Sequence, residues 1–309
     1  MVSTEKKKAE IWAVGGGKGG TGKSFVISSA GIYLALKGKR VVLIDADLGG
    51  ANLHTFLGIN RPRRSLTDFF ENKSPLTALV VDSGVKNMGL VAGPIYSLAP
   101  DSIKYTQKLK FLRHIRALRA DYVLIDLGAG IHFNTIDTFL TADKMLAVIV
   151  PEIISIENMY YFMKNALYRK LVRSLSSQGY RNLVENTWKD RRQYSIENLS
   201  HLIDHLRRRS NPISEIVDRE VATFRVNLVL NKARSSQDIR VGTSVKSICI
   251  KYLGLDARYV GYVEHDNFIS RATNKRQAYM TAHSASRCAK EIEAVVENLR
   301  KGRHIRTKI

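Results

Sequence analysis

The sequence predicts an α/β fold: a mostly parallel central sheet with helices on both faces, carrying a helical insertion. Three features predict it. Short, nearly continuous apolar runs alternate with amphipathic stretches of helical length. A glycine-rich turn joins the first apolar run to the first helical stretch, and two later apolar runs end in aspartate. Apolar strands separated by helices indicate a parallel sheet buried on both faces, built from right-handed crossovers.

Taken in order, residues 11–15 read as a strand, 24–37 as a helix, and Val41-Val42-Leu43-Ile44-Asp45 as a strand. A helix over 101–118 follows from Phe111 and Ile115 on one side and Lys110, Arg113 and Arg116 opposite. Tyr122-Val123-Leu124-Ile125-Asp126 is a strand, 133–140 a short helix and 144–150 a strand. From 155 to 222 no strand is evident. Helices over 156–175, 195–209 and around 213–219 form a helical elaboration of one domain spanning 1–309. Strand and helix then return at 225–230, 238–253 and 259–263. The last helix, about 283–299, has Ile292, Val295, Val296 and Leu299 as an apolar stripe suited to packing on the sheet. A basic tail, 300–309, closes the chain.

Composition narrows the function classes. The 309 residues carry 49 Lys+Arg against 28 Asp+Glu, a net charge of +21. The excess is uneven: +7 over residues 1–154 (20 basic, 13 acidic) and +14 over 155–309 (29 and 15). Such a surplus suits a polyanionic partner, whether nucleic acid, anionic lipid or acidic protein. No apolar run reaches the roughly 18 residues of a membrane span, and no secretory h-region follows the N-terminus, so a cytoplasmic location is expected. Two cysteines, Cys249 and Cys288, exclude a disulfide framework and a four-thiolate metal site within one chain.

Gly17-Lys18-Gly19-Gly20-Thr21-Gly22-Lys23-Ser24 satisfies the phosphate-loop pattern G-x-x-x-x-G-K-[ST], placed after a strand and before a helix. Glycines let backbone N–H groups close on phosphates, and the helix N-terminus adds its positive dipole end. Lys23 is expected to reach the β- and γ-phosphates and the Ser24 hydroxyl to hold Mg²⁺. Asp45 and Asp47 stand where the second strand ends, the edge at which parallel sheets bind ligands. Asp126 ends a later strand in the same way.

Lys18, between two glycines of the loop, makes the segment resemble the deviant Walker A family, K-G-G-x-G-K-[ST]. That family includes MinD, ParA, the FlhG/FleN flagellar regulators, Mrp-type iron–sulfur carriers and bacterial tyrosine kinases. The resemblance implies a P-loop NTPase fold and a nucleotide site made by Gly17, Lys18, Gly19, Gly20, Thr21, Gly22, Lys23, Ser24 and Phe25. It also implies a homodimer closed over two ATP molecules, with Lys18 contacting the partner's nucleotide. Asp47 matches the family's switch aspartate that orients or deprotonates the attacking water; Asp45 and Asp126 match the Mg²⁺ shell with Ser24. Gly49-Gly50-Ala51-Asn52-Leu53 resembles the family's first switch, and Leu127-Gly128-Ala129-Gly130 the D-x-G-A-G of the flagellar branch. Pro151-Glu152 and Ser155-Ile156-Glu157-Asn158 are similar to its P-E and S-x-E-N. Asn231 occupies the place from which members hold the adenine edge. Phe25, and Val263-Glu264 in place of Val-Pro, depart from the pattern.

Among the branches, the absence of C-x-x-C disfavours iron–sulfur carriers, and the last tyrosine, Tyr279, lies too early for a C-terminal tyrosine cluster. The expected function is a slow, partner-stimulated, Mg-ATP-dependent dimerising ATPase nearest FlhG/FleN, acting as a positional or assembly switch. Alternatives are a nucleotide-sensing scaffold with negligible hydrolysis and a ParA-like partitioning ATPase that binds DNA non-specifically. The partner classes in play are a protein, an anionic membrane surface and DNA, with docking at membrane or nucleoid. With no helix-turn-helix or stacking platform, specific DNA readout is not expected.

Overall fold

A computed structural model describes residues 8–47, 49–71, 73–94 and 105–305. The first four residues of the helix expected over 101–118 and the last four of the basic tail lie outside the described residues.

Eight strands form one sheet: β1 (Glu10–Gly15), β2 (Val41–Ala46), β3 (Val81–Asp82), β4 (Met88–Val91), β5 (Tyr122–Leu127), β6 (Lys144–Ile149), β7 (Val226–Ala233) and β8 (Arg258–Glu264). Their order is β3-β4-β2-β5-β1-β6-β7-β8, parallel throughout except for β3 against β4. The helices are α1 (Lys23–Leu36), α2 (Leu53–Phe56), α3 (Leu66–Phe70), α4 (Tyr105–Arg116), α5 (Phe133–Phe139), α6 (Ile153–Ser177), α7 (Leu183–Lys189), α8 (Leu199–Arg207), α9 (Asn211–Thr223), α10 (Ser236–Ile248), α11 (Asn267–Asn274), α12 (Tyr279–Ala282) and α13 (Arg287–Lys301).

Alternation along the strands divides the core in two. Ile11 and Ala13 point into one layer with Val123, Ile125, Ala147 and Leu228, beneath α3 to α6 and α8 to α10. Trp12 and Val14 point into the other with Leu43, Leu124, Leu146 and Val229, beneath α1, α12 and α13. Helix α1 is buried almost all round because α13 covers the side that the sheet does not, so its sequence is apolar on every face. Ile292, Val295, Val296 and Leu299 of α13 are buried in this layer, as the stripe predicted. Among the described residues no helix is long and apolar enough to cross a membrane.

The segment between β6 and β7 is wholly helical. Helices α7 and α9 pack on α6, α8 packs on α9, and Leu171, Leu175, Leu199, Ile203 and Val217 join the same apolar layer as the strands. Buried Asp137 ties three elements together by accepting from Lys108 of α4 and from Arg169 and Arg173 of α6.

Several details differ from the sequence expectation. β7 continues past Leu230 to Ala233 through a register irregularity against β8, so Asn231 lies inside the strand. The helix expected over 238–253 changes at Cys249 to a π-helical turn that Gly254 ends. Strands β3 and β4, at one end of the sheet, were not anticipated, since two and four residues are too few to establish an alternation.

Candidate functional site

The loop between β1 and α1 lies at the carboxyl ends of the central strands. Its glycines are sterically required at two points. Gly17 sits at φ 76° with a Cβ position 2.4 Å from the Asn158 carbonyl oxygen, and Gly22 at φ 90° with one 2.1 Å from Asn231 Nδ2. A side chain at either would displace the element packed against the loop.

The loop is braced from β7 and from the segment that follows β5. Asn231 donates to the Thr21 carbonyl at 2.8 Å, and Lys232, at φ 58°, donates to the Gly20 carbonyl at 2.8 Å. Gly130, beyond β5, donates its N–H to the Gly17 carbonyl. Within the loop, Lys23 Nζ donates to the Lys18 carbonyl at 3.0 Å, and Lys18 Nζ forms a 2.8 Å ion pair with Glu152 at the N-cap of α6.

Parallel register places Asp45 of β2 beside Asp126 of β5, which in turn faces Val14 of β1. Both carboxyls are buried. Burial pushes Asp126 up to about 7, opposed by the Ser24 hydroxyl and Lys23 and reinforced by Asp47. Asp45 is also pushed well above the ordinary range, by burial and then by Asp126. Its oxygens accept from the Asp47 and Leu53 N–H groups, so Asp45 braces the segment 47–53. Burial lowers the Lys23 ammonium, against the pull of Asp126 and Asp47.

Asp47 stands between two cavities. The first, about 610 Å³, is lined by Gly19, Gly20, Gly22, Lys23, Ser24, Phe25, Asp47 and Asn231, and on its far side by His265, Asp266, Thr273 and Asn274. The second, about 390 Å³, runs between α3, α4 and α5 and is lined by Leu66, Phe70, Phe111, Leu127 and His132. Of the sequence-predicted residues, Gly19, Gly20, Gly22, Lys23, Ser24, Phe25, Asp47 and Asn231 line the first cavity, whereas Gly17, Lys18, Thr21, Asp45 and Asp126 do not. Phe25 is buried, its ring against Tyr279 at 5.4 Å and near Phe56, a wall residue of the same cleft.

Sequence reasoning missed Lys232 and the pairing of Glu152 with Lys18. Lys232 carries no motif; only its unusual backbone, invisible in sequence, aims it at the loop. The Val263-Glu264 departure has a physical account. The Glu264 N–H, which proline would lack, donates to Glu291 of α13 at 2.7 Å, and Arg287 pairs with both carboxylates. This holds β8 to α13 just ahead of the cleft residues His265 and Asp266.

Three buried polar atoms around the loop have no hydrogen-bond partner: Thr21 Oγ1, Asp126 Oδ1 and Asn231 Oδ1. Unsatisfied buried polar atoms gathered at one place mark a site for a further polar group. No cluster of three or more Asp, Glu, His or Cys side chains among the described residues could hold a metal unaided.

Comparison with known proteins decides the family: a CobQ/CobB/MinD/ParA nucleotide-binding domain matches residues 12–302. The chain belongs to this family. It is 38% identical over 155 residues to the septum site-determining protein MinD of Helicobacter pylori, covering 48% of this chain and 56% of that one. It is 23% identical over 293 residues to the antiactivator FleN of Pseudomonas aeruginosa, covering 94% and 86%. The alignment thus spans little more than half the length of the MinD relative but most of FleN. The structure of MinD from Pyrococcus horikoshii OT3, complexed with Mg-ADP, superimposes with TM-score 0.63 at 19% identity, over 97% of this chain and 100% of that one. This likeness shows the fold: the MinD/ParA type of P-loop NTPase. At family level the MinD/ParA proteins are ATPases.

Proposed function

We propose that this chain is a Mg-ATP-dependent dimerising ATPase of MinD/ParA type, nearest the FlhG/FleN branch, that acts as a positional or assembly switch. The observation carrying this is the gathering of Lys18, Lys23, Asp47, Asp126 and Asn231 around one phosphate loop, where Asp126 Oδ1, Asn231 Oδ1 and the loop's own Thr21 Oγ1 are buried without partners. Residues 1–309 then form one nucleotide-binding domain, with 155–222 as its helical elaboration and 300–309 as a basic tail.

Each residue has a distinct task. The loop N–H groups and Lys23 hold the phosphates, since a fixed cation and oriented dipoles need no rearrangement as charge builds. Ser24, with Asp126 and Asp45 acting through water, would hold Mg²⁺, whose charge neutralises the β- and γ-oxygens when it is bound. Asp126 Oδ1, buried and unpartnered, is an oxygen suited to that task. Asp47, at the mouth shared by both cavities, positions the attacking water and accepts its proton. Asn231 already uses its N–H on Thr21, so its free Oδ1 is the atom able to accept from the adenine amino group.

Dimerisation is supported by the surface around Lys18. Ile131, Phe133, Ile153 and Ile154 are 48, 68, 76 and 59% exposed, on the two segments that contact the loop through Gly130 and Glu152. Large apolar side chains grouped beside a charged loop suit closure on a second copy, with Lys18 crossing to its nucleotide. The basic surface then docks the dimer on a polyanion, placing a cytoplasmic protein at nucleoid, membrane or partner.

ATP turnover, measured alone, with DNA and with anionic liposomes, tests the proposal. Slow basal hydrolysis raised by one surface is expected. No hydrolysis under any condition would leave a nucleotide-sensing scaffold instead.

A further inference from the structure

The end of β7 breaks the alternation that the rest of the strand keeps. Leu228 and Leu230 belong to one apolar layer and Val229 to the other. Asn231 and Lys232, next along, should then face opposite ways. Instead both reach the phosphate loop, Asn231 donating to the Thr21 carbonyl and Lys232 to the Gly20 carbonyl, each at 2.8 Å. Two features allow this. Leu230 pairs with Tyr262 and Ala233 with Glu264, so β7 carries one residue more than β8 here, and an extra residue of this kind re-aims a side chain. Lys232 also takes φ 58°; among the described residues it is the one non-glycine within a strand at positive φ. A left-handed backbone is costly for a residue with a Cβ and persists only where its surroundings impose it. A lysine that merely keeps its ammonium in water has no need of it.

We propose that Lys232 is a positioning residue for phosphate binding, which turns N–H groups of the loop toward the nucleotide without touching the reacting atoms. The proposal deepens, and rests on, the nucleotide site described above. Across a trans peptide the C=O and N–H point in opposite directions. Holding the Gly20 carbonyl on Lys232 and the Thr21 carbonyl on Asn231 therefore turns the Thr21 and Gly22 N–H groups away from β7. They become adjacent donors that one phosphate can share. Packing alone does not fix this part of the loop. Gly17 and Gly22 are wedged against Asn158 and Asn231, but a Cβ at Gly20 would meet nothing within 4 Å. Gly20 also takes φ 78°, so no side chain restricts its rotation. The bond from Lys232 is the restraint at that point. Without it the Gly20 carbonyl can swing toward the phosphate oxygens, where two acceptors repel and one N–H is lost.

The test is titration of the full chain with a fluorescent ADP analogue in Mg²⁺, on two variants that remove the ammonium and treat the backbone differently. Lys232→Met keeps the alkyl chain and the strained backbone, whereas Lys232→Gly suits the left-handed conformation. Both should bind the analogue about tenfold more weakly, the loss expected for one hydrogen bond to a charged group. Lys232→Gly should nonetheless melt no lower than wild type, because its backbone strain is relieved; a merely structural lysine would lower affinity and melting together. The loss should persist at about 0.5 M KCl, since a carbonyl bond is short-range while attraction between a surface ammonium and phosphates is screened. In proton–nitrogen correlation spectra the Gly22 N–H should move downfield on adding Mg-ADP to wild type, and less in both variants. Wild-type affinity in Lys232→Met would overturn the proposal. Wild-type affinity in Lys232→Gly would show that backbone shape alone sets the loop, and a loss that vanishes in salt would make Lys232 a surface charge; either also overturns it. Wild-type protein that binds no Mg-ADP would overturn the nucleotide site itself, and this proposal with it.

Discussion

The Lys18 ammonium lies 2.8 Å from the Glu152 carboxylate and joins the phosphate loop to the first turn of α6. The pair holds Glu152 below the usual carboxylate range. It also keeps Lys18 on its own chain, so in the proposed dimer Lys18 would have to leave Glu152 to reach the second nucleotide. Glu152→Gln should therefore lower the ATP concentration at which the chain dimerises. The shift should be less than tenfold, because the pair is partly exposed. Light scattering across an ATP titration reads it, and an unchanged midpoint contradicts the release of Lys18 from Glu152.

Asn231 closes the loop from β7 through a single amide hydrogen. Asn231→Asp would set a carboxylate oxygen against the Thr21 carbonyl in a buried position. The loss should be about 1–3 kcal/mol of stability, with nucleotide affinity falling at least about tenfold. Thermal melts and titration with a fluorescent ATP analogue measure both. Wild-type affinity in this variant would show that the loop closes without Asn231.

The Asp126 carboxyl gives the chain a pH signature. Its folded value of about 7 lies above the ordinary 3.8, so the folded state keeps a proton that the unfolded chain gives up near pH 4. The stability it contributes is full below about pH 4 and is lost as pH rises through about 7. In EDTA, wild-type melting should fall across that window by an amount worth about 4 kcal/mol at most. Asp126→Asn should flatten the profile and raise melting at pH 8 while abolishing Mg-ATP-dependent turnover. Equal pH profiles in the two proteins contradict the assignment.

Much of the site was legible because its chemistry lies in short contiguous segments. The loop 17–24 needs glycine where backbone meets Asn158 and Asn231, and strands β2 and β5 announce themselves by apolar runs ending in acid. The rest depends on contacts between segments distant in sequence. Lys232 reaches Gly20 across 212 residues through a left-handed backbone, and Glu152 meets Lys18 across 134. Neither pairing leaves a local pattern. The same holds for Glu264, which looked like a lost proline until Glu291 of α13 supplied the acceptor for its N–H. Strands β3 and β4 were hidden by brevity, and α2, α3, α7, α11 and α12 by lengths of four to eight residues.

The central claim is that ATP closes two copies of this chain through Lys18. Multi-angle light scattering after size exclusion, in Mg-ATP and with Asp47→Ala to slow hydrolysis, tests it most directly. The chain, 34.8 kDa alone, should elute at twice that mass with ATP and at the single mass with ADP. Adding Lys18→Ala should return it to the single mass while ATP still binds. A Lys18→Ala protein that dimerises on ATP as fully as its parent would contradict the account.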